Sequence, residues 1–100
     1  MLSEENKKLL LSWNRLILDL SVLKENKEEV GWKHKGIIVK WLDDNMGFQP
    51  GFSSWDEIVT EFLMSDPSGW DYMHLSMRYK IKEKEAKDLL RILQAIKARL

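Results

Sequence analysis

The residue types that most often carry catalysis and metal binding are scarce in this chain. Among its 100 residues there are two histidines, His34 and His74, and no cysteine. Neither histidine is followed by a second histidine or a carboxylate three or four residues later, the spacing that places two metal ligands on one face of a helix. The sequence therefore predicts neither a metal site nor a bound cofactor.

The other candidates for chemistry have simpler explanations. Ser53, Ser54 and Ser68 each precede an acidic residue by three positions, and this spacing is typical of a capped helix start. The neighbouring Asp43 and Asp44 lack the spaced oxygen ligands of a calcium loop. The glycines are scattered and form no phosphate-binding loop. We expect that the protein is not an enzyme.

Charged residues are sorted along the chain although the net charge is zero. The stretch from residue 43 to residue 77, called the acidic segment below, contains seven Asp or Glu residues and neither Lys nor Arg. The residues before and after it carry the excess of Lys and Arg. Sorted charge creates a surface field that favours an oppositely charged partner. The sequence therefore indicates that the protein functions through a binding surface.

The elements that must position such a surface are predicted to be helices of one domain. A chain of this length folds around a single core, and its apolar residues recur at helical spacing. We expect an all-α fold over residues 1–100, a compact bundle of about five helices in which long first and last helices pack together with three shorter helices between. Predicted helices cover about 3–26, 32 or 36 to 45, a third after Ser54, a short fourth ending near Lys80, and 82–100; a strand is the alternative for 37–39.

The first predicted helix is apolar on two sides. The side assigned to the core carries Leu9, Trp13, Leu16, Leu20 and Leu23, widened by Leu10 and Ile17. The opposite side carries Leu11, Leu18 and Val22. One core does not easily cover both sides of a helix. If the second side is exposed, it predicts a homodimer through Leu11, Leu18 and Val22.

The leading hypothesis is a small non-catalytic protein-binding module, a regulator or inhibitor of bacterial or phage type. Its acidic segment would bind a basic surface of another protein, with aromatic side chains as buried anchors. The predicted binding residues are Asp43, Asp44, Phe48, Phe52, Glu61, Asp66, Trp70 and Asp71. Trp32 and Trp70 are expected to be partly exposed because both lie near helix starts. We expect a cytoplasmic protein without a membrane span or anchor.

The alternative hypothesis is a DNA-binding regulator. Residues 75–89 resemble a helix-turn-helix unit, with a helix ending near Lys80, an apolar residue at Ile81 and a long helix after the turn. Lys80 stands where that family commonly has glycine, and three acidic residues are interleaved with the cations of the last helix. The resemblance implies that a dimer binds DNA through Arg78, Lys80, Lys82, Lys84, Lys87 and Arg91.

Residues 32–100 also resemble the sterile alpha motif family. In that family a short helix and an apolar turn residue precede a long C-terminal helix, as around Ile81 here, and Val39-Lys-Trp-Leu belongs to the same pattern. The stretch from Gly47 to Trp55 departs from the pattern, and no glycine precedes Ile81. The resemblance implies a bundle of short helices, and no function is transferred from it.

Overall fold

The computed structural model describes residues 3–50, 54–65 and 69–100. Within these ranges the chain forms five α-helices and no strand. The helices are α1 (Glu4–Glu25), α2 (Trp32–Asn45), α3 (Trp55–Met64), α4 (Tyr72–Tyr79) and α5 (Glu83–Lys97). The predicted all-α bundle of about five helices is confirmed. The alternative of a strand over residues 37–39 is wrong, because these residues lie inside α2.

Side chains cap the starts of three helices. The hydroxyl groups of Ser3 and Ser54 each accept a hydrogen bond from the backbone N–H three residues later, at 3.1 and 3.3 Å. The Asp71 carboxylate does the same for α4 at 2.7 Å. Each cap satisfies an amide that has no partner within its own helix. The predicted capping residues Ser53 and Ser68 lie outside the described residues.

One side of every helix contributes to a single core. The buried apolar residues are Leu16, Leu20, Ile38, Trp41, Leu42, Trp55, Ile58, Val59, Phe62, Leu75, Tyr79, Ile81, Ala86, Leu89, Leu93 and Ile96. The inward faces predicted for α3 and α5 are confirmed, with Leu63, Leu90 and Leu100 half-buried at their edges. Apolar periodicity identifies these faces because side chains three and four residues apart share one side of a helix.

The pairing of the helices differs from the prediction in one respect. The closest backbone approaches join α1 with α2, α2 with α3, and α4 with α5. The first and last helices were predicted to pack together, but they are not among these pairs, and a groove lies between them. The bundle is only 20 Å thick in its smallest dimension, about two helix diameters. A helix in so thin a bundle can keep an outward face that no other helix covers.

Candidate functional site

Two acids of the acidic segment have partners inside the fold. Asp71 is the cap of α4, and Glu61 accepts two hydrogen bonds from the Arg78 guanidinium, Nε at 2.9 Å and Nη2 at 2.6 Å. The Tyr79 hydroxyl donates a third bond to Glu61. This cluster joins α3 to the end of α4. Glu61 and Asp71, two predicted binding residues, therefore hold the fold together.

The same cluster shifts the pKa values of Glu61 and Tyr79. The hydrogen bonds from Arg78, followed by the bond from Tyr79, lower the pKa of the Glu61 carboxyl below its ordinary value. Burial raises the pKa of Tyr79 to about 12, and the bond to the Glu61 carboxylate adds to the increase. Both shifts favour the state in which a neutral phenol donates to a charged carboxylate. At neutral pH the cluster is therefore fully hydrogen-bonded.

Asp43 and Asp44 at the end of α2, and Asp56 at the start of α3, lie near cations from outside the acidic segment. Asp56 pairs with Lys35 at 3.3 Å, and Asp43 accepts a hydrogen bond from the Gln49 amide at 3.2 Å. Lys40 lines a shallow hollow together with Asp43 and Asp56. Asp44 lines another hollow beside Lys40 and Arg15. Charge that is sorted along the sequence is thus mixed in space.

The predicted aromatic anchors are half-buried. Phe48 lies edge-on to Trp55, with ring centroids 5.5 Å apart. Trp70 lies edge-on to Phe62 at 6.3 Å and stacks obliquely on His74 at 5.1 Å. Both anchors therefore pack against the core. Phe52 and Asp66, also predicted binding residues, lie outside the described residues.

By contrast, Trp32 is 77% exposed at the start of α2. It had been expected to be partly exposed, and its only ring contact among the described residues is with the Lys33 ammonium, 5.9 Å from the ring centroid.

The cations of the DNA-binding hypothesis lie around the turn from α4 to α5. Ile81 is buried in this turn, and Lys80 before it has a left-handed backbone (φ 56°), a conformation in which glycine is preferred. Arg78 is bound to Glu61, and Lys87 pairs with Glu83 at 3.1 Å.

The other cations of this set differ in position. Lys82 precedes α5 as its capping residue, and Lys84 is exposed in the first turn of α5. Arg91 lies on a different feature, the groove between α1 and α5. Of the six cations, Arg78 and Lys87 are thus paired with acids, and Arg91 borders the groove.

A groove with a volume of about 800 Å³ lies between α1 and α5. Its apolar floor and walls are formed by Leu9, Leu10, Trp13, Trp41, Met46, Phe48, Ile92 and Ala95, and Asn6, Asn45, Gly47, Glu85, Asp88 and Arg91 complete the lining. Trp13 and Trp41 meet edge to face at its base, 5.3 Å apart. An apolar groove with a few polar groups at its border is typical of a binding site.

Residues on the α1 side of the groove were predicted to lie in the core. Leu9, Leu10 and Trp13 were assigned to the core, yet Leu9 is 45% exposed and Leu10 49% exposed. Of the predicted binding residues that the structure describes, Phe48 alone is among those that line the groove. The opposite side of α1 is exposed as the dimer hypothesis required, with Leu11, Leu18 and Val22 at 69, 58 and 46%.

His34, the first candidate for chemistry, has a structural role. Its ring is buried, and Nδ1 accepts a hydrogen bond from the Gly31 N–H at 3.2 Å, which satisfies an amide at the start of α2. Burial lowers the pKa of His34; the carboxylate of Glu28 opposes this shift and the Lys33 ammonium adds to it.

The described ranges contain neither a metal-type cluster nor a membrane-spanning helix. No cluster of three His, Cys, Asp or Glu residues within them has the arrangement of a metal site. No helix in them is both long enough and apolar enough to cross a membrane.

Comparison with known proteins gave no match among protein-family models, curated proteins or solved structures.

Proposed function

We propose that the protein is a non-catalytic protein-binding module, and that its partner binds in the groove between α1 and α5. The observation that supports this proposal is the exposure of Leu9. Leu9 lies two helical turns before Leu16 and on the same side of α1, yet Leu9 is 45% exposed whereas Leu16 is 2% exposed. The core-facing stripe of α1 thus continues past the core into the groove. Apolar surface left in water favours association.

The groove replaces the acidic segment as the centre of the proposed interface. Glu61 and Asp71 are engaged within the fold, and cations lie beside Asp43, Asp44 and Asp56. The groove instead combines aromatic and aliphatic side chains, and such clusters provide most of the binding free energy in protein interfaces. Phe48 keeps its predicted role as an anchor, now beside Trp13 and Trp41.

Affinity capture from an extract of the native host tests the proposal with two matched variants. Leu9→Asp places a charge in the groove, and Leu11→Asp places the same charge on the opposite side of α1. Both residues are exposed, so neither change disturbs the core. We expect a protein that is retained by the wild type and by Leu11→Asp but lost with Leu9→Asp. Equal retention of every captured protein by Leu9→Asp would overturn the proposal.

We also propose that the chain forms a homodimer through the opposite side of α1. Leu11, Leu18 and Val22 are all exposed there, and their spacing of seven and four residues places them on one side of the helix, with Arg15 between Leu11 and Leu18. In an antiparallel pair of α1 helices, a register that sets Leu11 of one copy opposite Val22 of the other also sets Lys8 opposite Glu25. Opposite charges then flank the apolar contact.

Analytical ultracentrifugation distinguishes this dimer from a monomer. We expect a dimer for the wild type, a monomer for Leu18→Asp, and a dimer for Met73→Asp, which changes an exposed apolar residue on α4. A monomeric wild type at high concentration would exclude the dimer, as would a Leu18→Asp variant with unchanged mass.

The DNA-binding hypothesis stays a prediction with its own test. Affinity for a random-sequence duplex at low salt, lost steeply as salt rises, would favour it. Retention on a basic matrix without retention on DNA would exclude it.

A further inference from the structure

We infer that the partner segment in the groove is an amphipathic α-helix whose apolar face is bordered by Lys or Arg. This inference rests on the proposed function and specifies the chemistry of the partner. The groove lies between α1 and α5, with the end of α2 and residues 46–48 also lining it, and the α5 residues in its lining extend from Glu85 to Ala95, about 15 Å at 1.5 Å per residue. Two to three turns of a helix fit this length, and an apolar groove between helices is a recurring site for amphipathic helices.

The charged residues at the border of the groove determine the charge expected of the partner. Glu85 and Asp88 are one turn apart on α5, and both line the groove. Neither forms an ion pair within the described part of the chain, whereas Glu83 nearby pairs with Lys87. Glu85 lies in the first turn of α5, where a carboxylate stabilises the helix end. Asp88 lies beyond that turn, so the helix end does not account for it.

Arg91 determines the orientation of the bound helix in the groove. It follows Asp88 by one turn and also lines the groove, so the α5 wall carries acids in its first half and a cation in its second. A partner helix with Lys or Arg opposite Glu85 and Asp88, and an acid opposite Arg91, matches the wall in only one of its two orientations. Complementary charge of this kind fixes register and raises the association rate.

Two synthetic peptides of 18 residues test the inference. They share one leucine stripe at helical spacing, and the positions bordering it are Lys in the first peptide and Glu in the second. Binding is followed by tryptophan fluorescence, since Trp13 and Trp41 line the groove. At low salt we expect the Lys peptide to bind about tenfold more tightly than the Glu peptide, with a difference that decreases as salt rises.

Charge reversal locates the contact. The double variant Glu85→Lys/Asp88→Lys is expected to reverse the preference, and Glu83→Lys, in the ion pair with Lys87, is expected to retain it. Equal binding of both peptides, or a preference that survives the double reversal, would overturn the inference. A wild-type dimer converted to a monomer by Leu9→Asp would also overturn it, because a second copy would then occupy the groove.

The two proposals fail in different ways. If neither peptide binds while Leu9→Asp still abolishes capture of the host protein, the groove is a protein-binding site and the helical basic partner is wrong. If Leu9→Asp leaves capture unchanged, both proposals fail.

Discussion

Arg78 binds Glu61 through two N–H donors, although the two residues are 17 positions apart and lie on different helices. Glu61 belonged to the predicted acidic binding surface, and Arg78 to the alternative DNA-binding set. In the fold, the charges of these two residues compensate each other. A residue that satisfies a contact within the fold is a weak candidate for an external partner, because binding outside would first have to break that contact.

The hydrogen bond from Tyr79 to Glu61 is expected to contribute measurably to stability. Tyr79 is buried, and its hydroxyl donates to the Glu61 carboxylate. Tyr79→Phe removes this bond and keeps the ring, so we expect the free energy of unfolding to fall by about 1 kcal/mol. Urea denaturation near neutral pH measures the change. Tyr72→Phe is the matched control, because the Tyr72 ring is half-buried beneath the Lys87 ammonium, and an equal loss in both variants would contradict the assignment.

Acid should remove the contribution of Glu61. The pKa of this carboxyl is lower in the folded protein than its ordinary 4.5 because of the hydrogen bonds from Arg78 and Tyr79. A group with a lowered folded pKa stabilises the fold above its unfolded pKa, and the contribution is lost as the pH falls through the folded value. We therefore expect wild type to be more stable than Glu61→Gln at neutral pH, and the difference to decrease below about pH 4. A difference independent of pH would exclude the charged interaction.

His34 predicts a second decrease in stability at a higher pH. Its pKa is lowered from 6.5, mainly by burial, and the neutral ring accepts the bond from Gly31. Its contribution is therefore complete above pH 6.5 and is lost as the pH falls towards the folded pKa. We expect the free energy of unfolding to fall between neutral pH and about pH 5 in wild type and in His74→Gln, which changes an exposed histidine. The fall should be smaller in His34→Gln, and an equal fall would assign it to other groups.

The sequence predicted the helices well because each helix carries its own local signals. Ser54 caps α3 and is followed by apolar residues at helical spacing, and the single apolar residue Ile81 marks the turn between α4 and α5. The groove could not be predicted in the same way. Leu9 and Leu16 have the same residue type and the same helical phase, and they differ only in whether another helix covers them. That difference depends on where α5 lies relative to α1, and no local pattern encodes it.

The acidic segment shows the same limit for charge. No Lys or Arg separates its acids along the sequence. In the fold, however, Lys35, Lys40 and Arg15 of α1 and α2 lie near them. Contacts across helices therefore decided which charges stay available, and Glu85 and Asp88 were overlooked because their neighbours in sequence are cations.

The end of α1 offers a stabilising substitution. Lys27 has a left-handed backbone with φ 56°, and the N–H groups of Lys27 and Glu28 donate to the carbonyl groups of Lys24 and Leu23, each at 3.0 Å. This is the arrangement of a Schellman motif, in which glycine is preferred because it has no Cβ. We expect Lys27→Gly to raise the free energy of unfolding by about 0.5 kcal/mol. Lys24→Gly, inside α1, should lower it by about 1 kcal/mol, and parallel urea denaturation of both variants against wild type checks the opposite signs. A loss of stability in Lys27→Gly would mean that the lysine side chain contributes more than the strained backbone costs.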